Sequence, residues 1–445
     1  MTPNFILTIQ KKMGLDAQVS FTLLIRLWNI FTGGVLLVGM HRWFSADEQG
    51  YYFTLMSLVG LQVFFELGMN FVVLQISSHE MANVKYSKID GFSGRKENIE
   101  RLASLVRGLM KWYKYVAISF LFCVGVAGYY FLEKKSANID VDWRVSWSLL
   151  ILFSAGNLYC SPFLAILEGI GLVADVAKLR LIYSVAAYVL FWIVLENGGG
   201  LNALPIILAI SFLVTKFWLV KEGSKLYEIA EKEISTKNII QWSVDILPLQ
   251  WRIALSWISG YLIFQLFTPL IFAFQGATEA GQIGLGLVVY STISTLSMSW
   301  VNSKVPELVG HIVREERRAL NVKFMQLLKL SMVFNLVISS GFTVVGIIMK
   351  VANIWIGDRL PDPYVLICFF IVCLCNQVIF SVAAYVRAHK EEPMLLQSVV
   401  VGLLLAVCLY KFAAISVLYA ALSYLVVTLV ISLPWALLTF KRYYK

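Results

Sequence analysis

Apolar runs of about twenty residues recur twelve times along this chain. They lie at approximately 17–40, 51–76, 113–132, 145–168, 179–195, 201–220, 246–273, 282–303, 325–349, 363–386, 394–412 and 414–438. A helix of that length crosses the hydrocarbon core of a bilayer. Lipid offers the backbone no water to satisfy its N–H and C=O groups, so such runs are expected to be helical. Hydrophobic residues make up 59% of the chain and charged residues 14%, more apolar surface than a soluble chain of this length can bury. The expected fold is therefore an all-α polytopic membrane protein with about twelve transmembrane helices in two six-helix halves. The expected organisation is an N-terminal lobe at 1–222, a cytoplasmic linker at 223–245 and a C-terminal lobe at 246–445. No apolar stretch followed by a small-residue cleavage site precedes the first run, which is expected to be retained as a helix.

Charge sets the orientation. The chain carries a net charge of +10, which could point to nucleic acid. Its placement points elsewhere. Of the 37 Lys and Arg, 27 fall in or beside the connections on one side and 7 on the other, with Arg26, Lys216 and Arg252 left inside spans. By the positive-inside rule both termini are expected in the cytoplasm. The basic balance is then explained by topology and by contact with anionic lipid. Two basic connections have helical periodicity. Residues 95–111 place Ile99, Leu102, Leu105, Val106, Leu109 and Met110 among Arg and Glu, and residues 314–329 place Leu320, Phe324, Leu327 and Leu328 behind Arg314, Arg317 and Arg318. Both read as amphipathic helices lying on the cytoplasmic face.

These segments belong to a larger repeat. The outer loop after the first span reads Ala46-Asp47-Glu48-Gln49-Gly50, and the one after the seventh reads Ala277-Thr278-Glu279-Ala280-Gly281. Each A-x-E-x-G precedes a polar-striped span that leads to a basic amphipathic segment. Parallel repeats that start on the same side of the membrane are one of the plans transporters use.

The polar stripes supply the candidate path. Thr22, Arg26, Asn29 and Gly33 share one face of the first span, and Gln62, Glu66 and Asn70 one face of the second. Arg26 and Glu66 each lie about 15 Å from the cytoplasmic end of their spans by helix rise, within reach of one another. The seventh span offers Arg252, Ser256 and Ser259, and the eighth Ser291, Thr295, Ser299 and Asn302. An ionisable group at mid-bilayer is costly and usually faces a partner or a watered cavity. The bland alternatives are an Arg–Glu lock between helices, hydroxyls bonded to their own helix, and a snorkelling Lys216.

No catalytic motif is present: no Gly-rich phosphate loop, no His-Glu-x-x-His, no serine nucleophile elbow. The six cysteines all lie in apolar runs and read as buried thiols. His41, His79, His311 and His389 do not group as metal ligands. No cofactor, metal or enzymatic activity is expected.

The pattern resembles the multidrug/oligosaccharidyl-lipid/polysaccharide flippase superfamily, and within it the transporters of lipid-linked O-antigen repeat units. The residues that carry the resemblance are Glu48-Gln49-Gly50-Tyr51-Tyr52, Phe65-Glu66-Leu67-Gly68-Met69, Ile166-Leu167-Glu168-Gly169-Ile170-Gly171, and Glu279-Ala280-Gly281 with Val305-Pro306-Glu307-Leu308. The resemblance implies a flippase of the bacterial inner membrane. It would move undecaprenyl-diphosphate-linked oligosaccharide to the outer leaflet by alternating access, with polysaccharide polymerase and chain-length machinery as partners. Arg26 and Arg252 would meet the diphosphate. Asn29, Gln62, Asn70, Ser256, Ser291 and Thr295 would meet sugar hydroxyls, and Glu66 would couple transport to a proton or cation. Three rivals are a multidrug or cation antiporter of the same superfamily, a membrane enzyme such as a polysaccharide polymerase, and a scaffold. An arginine rather than an acid in the first span favours an anionic substrate. The outer loops, ten to fifteen residues at most by these spans, are short for a catalytic site.

Overall fold

The computed structural model describes residues 17–87, 90–135, 141–231, 235, 238–389 and 391–444, with only the backbone at 17–20, 22 and 23. The Thr22 side chain and linker residues 232–234, 236 and 237 lie outside the described set. The helices run in order α1 (Ala17–Trp43), α2 (Ala46–Val59), α3 (Val63–Glu66), α4 (Met69–Glu80), α5 (Lys96–Lys135), α6 (Arg144–Gly169), α7 (Val173–Glu196), α8 (Leu204–Glu222) and α9 (Ser224–Glu231). They continue with α10 (Leu247–Phe264), α11 (Phe267–Phe274), α12 (Ala277–Asn302), α13 (Val305–Val313), α14 (Arg317–Val351), α15 (Pro363–Arg387), α16 (Met394–Ala413), α17 (Val417–Val427) and α18 (Leu433–Tyr443). A short antiparallel hairpin, β1 (Val84–Ser87) with β2 (Gly91–Gly94), lies between α4 and α5.

Among the described residues ten helices are long and apolar enough to cross a membrane, and twelve spans result when each of two bent pairs counts as one. The first bend, 46°, falls at Leu67 and Gly68, both left-handed with φ of 52° and 67°. Glycine tolerates that conformation and leucine does not, so the bend is held at a cost in backbone strain. The second bend, 42°, separates α10 from α11. The last span runs on through Pro434. A π-helical turn at Thr428–Ser432 joins α17 to α18 immediately before Pro434.

Two compact units result. One holds the described residues through Trp43 together with Leu61–Ala254, and the other holds Phe44–Gly60 and the chain from Leu255 onward. Units drawn by packing thus place residues 44–60, which the lobe 1–222 includes by sequence, with the second.

The A-x-E-x-G segments are helix starts, not loops. Ser45 and Glu48 form a capping box, with Glu48 N donating to Ser45 Oγ at 3.1 Å and Ser45 N to Glu48 Oε2 at 2.8 Å. In the second unit the two segments pack on each other. Thr278 Oγ1 donates to Asp47 Oδ1 at 2.7 Å, and Gln49 Nε2 donates to the Gly281 carbonyl at 2.9 Å. A Cβ on Gly50 would overlap the Ala277 carbonyl, and one on Gly281 would come within 2.8 Å of the Gly50 nitrogen. The repeated glycines are what let α2 and α12 approach.

The two amphipathic segments are not helices lying on the membrane. Each is the leading half of a single long helix: α5 has 40 residues and α14 has 35, about 60 and 50 Å at the helical rise. Their apolar stripes face protein. Leu102, Leu105, Val106 and Leu109 are buried in the first unit, and Leu320, Phe324 and Leu327 pack with Tyr385 and Val386 in the second. The cysteine reading also changes: Cys123 is exposed and Cys408 half-buried, while the other four are buried.

The leading half of α5 also holds the end of α9 and the segment that follows it. Arg107 donates twice to the Ala230 carbonyl, at 2.9 and 2.7 Å, and Ile240 N donates to Ser104 Oγ at 3.1 Å. Arg101 bridges Glu80 at 2.8 Å and Asp245 at 3.2 Å. Glu100 accepts from Asn238 Nδ2 at 2.9 Å and Ser235 N at 3.1 Å. These two bonds, with Lys96 beside it, hold the Glu100 carboxyl below its ordinary value of 4.5. A lowered folded-state pKa means the contribution is full above the unfolded value and is lost as pH falls through the folded one. Protection of residues 238–245, measured relative to intrinsic exchange rates, is therefore expected to fall as pH drops below the ordinary carboxylate range. Glu100→Gln should show quicker exchange at neutral pH and a flatter acid response; an unchanged profile would remove Glu100 from this role.

Candidate functional site

The second-span stripe becomes a closed hydrogen-bond network in the first unit. Glu66 ends α3, immediately before the left-handed break, and accepts hydrogen bonds from the side-chain amides of Gln62 and Asn70. Each amide uses its oxygen in turn. Gln62 Oε1 accepts from Ser154 Oγ at 3.0 Å, and Asn70 Oδ1 accepts from Tyr113 OH at 3.3 Å; Ser161 Oγ lies at the same distance, its one proton shared with the Leu158 carbonyl at 2.9 Å. Each amide N–H₂ therefore faces the Glu66 carboxyl and each amide oxygen faces away from it. A second layer continues on α6 and α8, where Asn157 Nδ2 donates to the Leu208 carbonyl at 2.8 Å and Ser211 Oγ donates to Asn157 Oδ1 at 3.0 Å. Sequence reasoning missed Tyr113, Ser154, Asn157 and Ser161. The signal was there for α6: Ser154, Asn157 and Ser161 fall at spacings of three and four, on one helix face.

Asn70→Ala removes one donor to Glu66 and the acceptor of two hydroxyls. A loss of roughly 1–2 kcal/mol in stability is expected, since interhelical polar contacts in membranes carry about that much. Thermal unfolding in detergent measures it. A change no larger than that of Asn29→Ala would show the network to be slack.

Arg26 does not meet Glu66. Among the described residues no carboxylate pairs with Arg26, which is exposed on α1, as is Asn29. The anchor of α1 lies further along. Trp28 and Phe31 stack around Trp192 of α7, at ring separations of 6.0 and 5.9 Å, and Glu196 takes Arg42 at 2.6 Å and Trp43 Nε1 at 3.0 Å. Arg252 is likewise exposed without a carboxylate partner among the described residues; its guanidinium lies 5.4 Å from the Trp251 ring centre. Among the described residues neither in-span arginine has a carboxylate partner.

The second unit contains a cavity of about 690 Å³ built from α2, α11, α12, α15 and α17 and the helix junction at Gln265. Ser291, Thr295 and Asn302 of α12 line one side, and Asn376 and Arg387 of α15 another. Ser291 Oγ donates to the Val288 carbonyl at 2.9 Å and Thr295 Oγ1 to the Ser291 carbonyl at 2.9 Å. Their donors are therefore occupied, and what they offer the cavity is acceptor lone pairs. Ser256 lines a smaller neighbouring cavity of about 170 Å³, which shares Asn376, Arg387 and Tyr424 with the larger one. Among the described residues no carboxylate lines the larger cavity, while Glu391 and Glu392 line the smaller. Arg387 was missed as a site residue because, in the last turn of α15, it counts among the topology-setting positive charges.

With this geometry in hand, solved structures offer a comparison. Over 96% of its length this chain superposes on 88% of the lipid II flippase MurJ in an inward closed conformation, at 13% identity and a TM-score of 0.67. It matches an inward-facing multidrug resistance MATE family transporter of the MOP superfamily over 96% of this chain and 98% of that one, at 12% identity and a TM-score of 0.65. The chain has the MurJ and MATE fold. No family model and no curated protein sequence matches it. The all-α polytopic architecture expected from sequence is thus the architecture of known membrane transporters. At these identities the likeness speaks for the fold alone.

Proposed function

We propose that this chain is a flippase of the MOP type that carries lipid-linked oligosaccharide diphosphate across the bacterial inner membrane. The reading rests on the placement of charge. Arg26, Arg252 and Arg387 stand exposed without carboxylate partners among the described residues, while Glu66 is enclosed by amides. An uncompensated guanidinium in an apolar setting favours an anion, and its planar fork matches phosphate oxygens two at a time. The larger cavity adds Ser, Thr and Asn groups of the kind that exchange hydrogen bonds with sugar hydroxyls, in a volume suited to a small-molecule head group. Lipid can hold the polyprenyl tail throughout. Transport proceeds by alternating access, with both termini in the cytoplasm and with polymerase and chain-length machinery acting on the product. No covalent chemistry is required of the protein.

A strain lacking the gene tests this reading. It should accumulate lipid-linked oligosaccharide in the cytoplasmic leaflet and recover with the wild-type gene. Unchanged lipid-linked intermediates together with increased sensitivity to cationic drugs would instead establish the second reading, a multidrug or cation antiporter. One observation favours that alternative: among the described residues the Glu66 carboxyl has amide partners but no arginine or lysine, which leaves a proton or cation as its counter-ion. In the flippase reading the same group serves to couple transport.

A further inference from the structure

The smaller cavity of the second unit, about 170 Å³, is enclosed by α10, α15, α16, α17 and the π-helical turn at Thr428–Ser432. Such turns are rare and occur frequently at functional sites. Gln397 of α16 braces this one. Its Nε2 donates to the Ser432 carbonyl at 2.7 Å and lies 3.3 Å from Ser432 Oγ. A carbonyl oxygen only accepts, so the orientation of the amide is fixed. Gln397 lines the cavity and is 3% exposed, and its Oε1 is buried with no hydrogen-bond partner among the described residues. A buried acceptor without a donor is costly, so a donor is the group missing here.

The rest of the wall is also rich in acceptors. The Thr428 hydroxyl donates to the Tyr424 carbonyl and the Ser398 hydroxyl to the Leu395 carbonyl, both at 2.8 Å, so each has lone pairs left to offer. Glu391 and Glu392 add carboxylate oxygens, and Ser256 of α10 lines the same cavity. Where the two cavities meet, the lining is aromatic: Phe264, Phe380 and Tyr424 belong to both. The Phe264 and Phe380 rings stand edge to face at 5.8 Å, and Phe264 is 42% exposed. The face of an aromatic ring is negative and attracts weakly positive C–H groups.

A ligand matched to this wall carries hydrogen-bond donors around its rim and C–H groups on its faces. A pyranose ring has both. We propose that the smaller cavity takes one sugar ring of the carried oligosaccharide, with Gln397 Oε1 accepting from a ring substituent and Phe264 packing against ring C–H groups. The volume lies below the range of about 300–1,000 Å³ that holds drug-sized ligands, which leaves room for one ring and not for a chain. The inference rests on the flippase reading and adds to it the place where the sugar is sensed.

The test uses the full chain in nanodiscs. Saturation-transfer NMR reads the binding of the methyl pyranosides of glucose, galactose, rhamnose and N-acetylglucosamine. Gln397→Met and Phe264→Leu are the diagnostic variants. Gln275→Met is the control, because Gln275 Nε2 also donates to a backbone carbonyl, that of Ala413 at 2.8 Å, and Gln275 lines neither cavity. At least one pyranoside should bind. Loss of one neutral hydrogen bond should weaken it roughly two- to tenfold in Gln397→Met. Phe264→Leu should also weaken it, and Gln275→Met should leave it unchanged. If Gln397→Met does not fold, Phe264→Leu decides, since it keeps an apolar side chain at an exposed position. Binding of none of the four sugars, or binding indifferent to the diagnostic variants, overturns the proposal. The flippase reading fails separately, if the strain lacking the gene shows unchanged lipid-linked intermediates.

Discussion

Arg26→Ala and Arg252→Ala are each expected to slow translocation of lipid-linked oligosaccharide by about ten- to a hundredfold. A hydrogen bond to a charged group contributes about 1.5–3 kcal/mol, and each 1.4 kcal/mol is a factor of ten. Neither arginine has a carboxylate partner among the described residues, so removing it strands no buried acid. Stability should therefore change little for Arg26→Ala. Arg252→Ala should lose up to about 1 kcal/mol more, because its guanidinium lies over the Trp251 ring. Lysine at either position keeps the charge but loses the two-pronged geometry and should restore transport only in part. The measurement is initial translocation rate at matched protein content, with melting temperature beside it. Full activity in both alanine variants would return the arginines to the status of packing residues.

The largest effect on folding is expected from Gly50→Val. At Gly50 even one methyl overlaps the Ala277 backbone carbonyl, which cannot swing aside as a long side chain can. Overpacking costs about 1–3 kcal/mol where side chains can give way, and occasionally more; against backbone, failure to accumulate folded protein is the expected outcome. Gly281→Val should behave alike, since its Cβ would meet the Gly50 nitrogen at 2.8 Å. Gly34→Ala is the counterpart. Nothing lies within 4 Å of a Cβ there, and alanine gains about 1 kcal/mol over glycine in a helix interior. Folded yield and melting temperature decide. If Gly50→Val melts like wild type, α2 and α12 do not pack on each other through these glycines.

Why the A-x-E-x-G repeat was legible as a repeat but not as a contact is instructive. Five matching residues at corresponding places can be read from a string; that both glycines face one crossing cannot. The loop assignment itself was avoidable, because Ser45-Ala46-Asp47-Glu48 spells a capping box and so a helix start. Apolar run length found the spans well, since bilayer thickness sets it directly. It could not show that each amphipathic segment and the span after it form one helix, α5 or α14. Amphipathic periodicity is the same whether the apolar stripe meets lipid or protein. The bend at Leu67 was hidden for a similar reason, because spacing of four in Gln62, Glu66 and Asn70 presumes an unbroken helix. The three side chains still converge, with Glu66 as the common acceptor. The expected Arg26–Glu66 pair rested on equal depth in the membrane, which fixes height but not the direction a helix face points.

The central claim is that the substrate is anionic and lipid-linked. The most direct measurement reconstitutes the wild-type chain in proteoliposomes and offers, in parallel, an undecaprenyl-diphosphate-linked oligosaccharide and a cationic dye. Protein-dependent movement of the lipid-linked sugar between leaflets, with no dye gradient, is the predicted result. Proton- or sodium-driven dye transport with the sugar lipid left in its original leaflet would contradict the account.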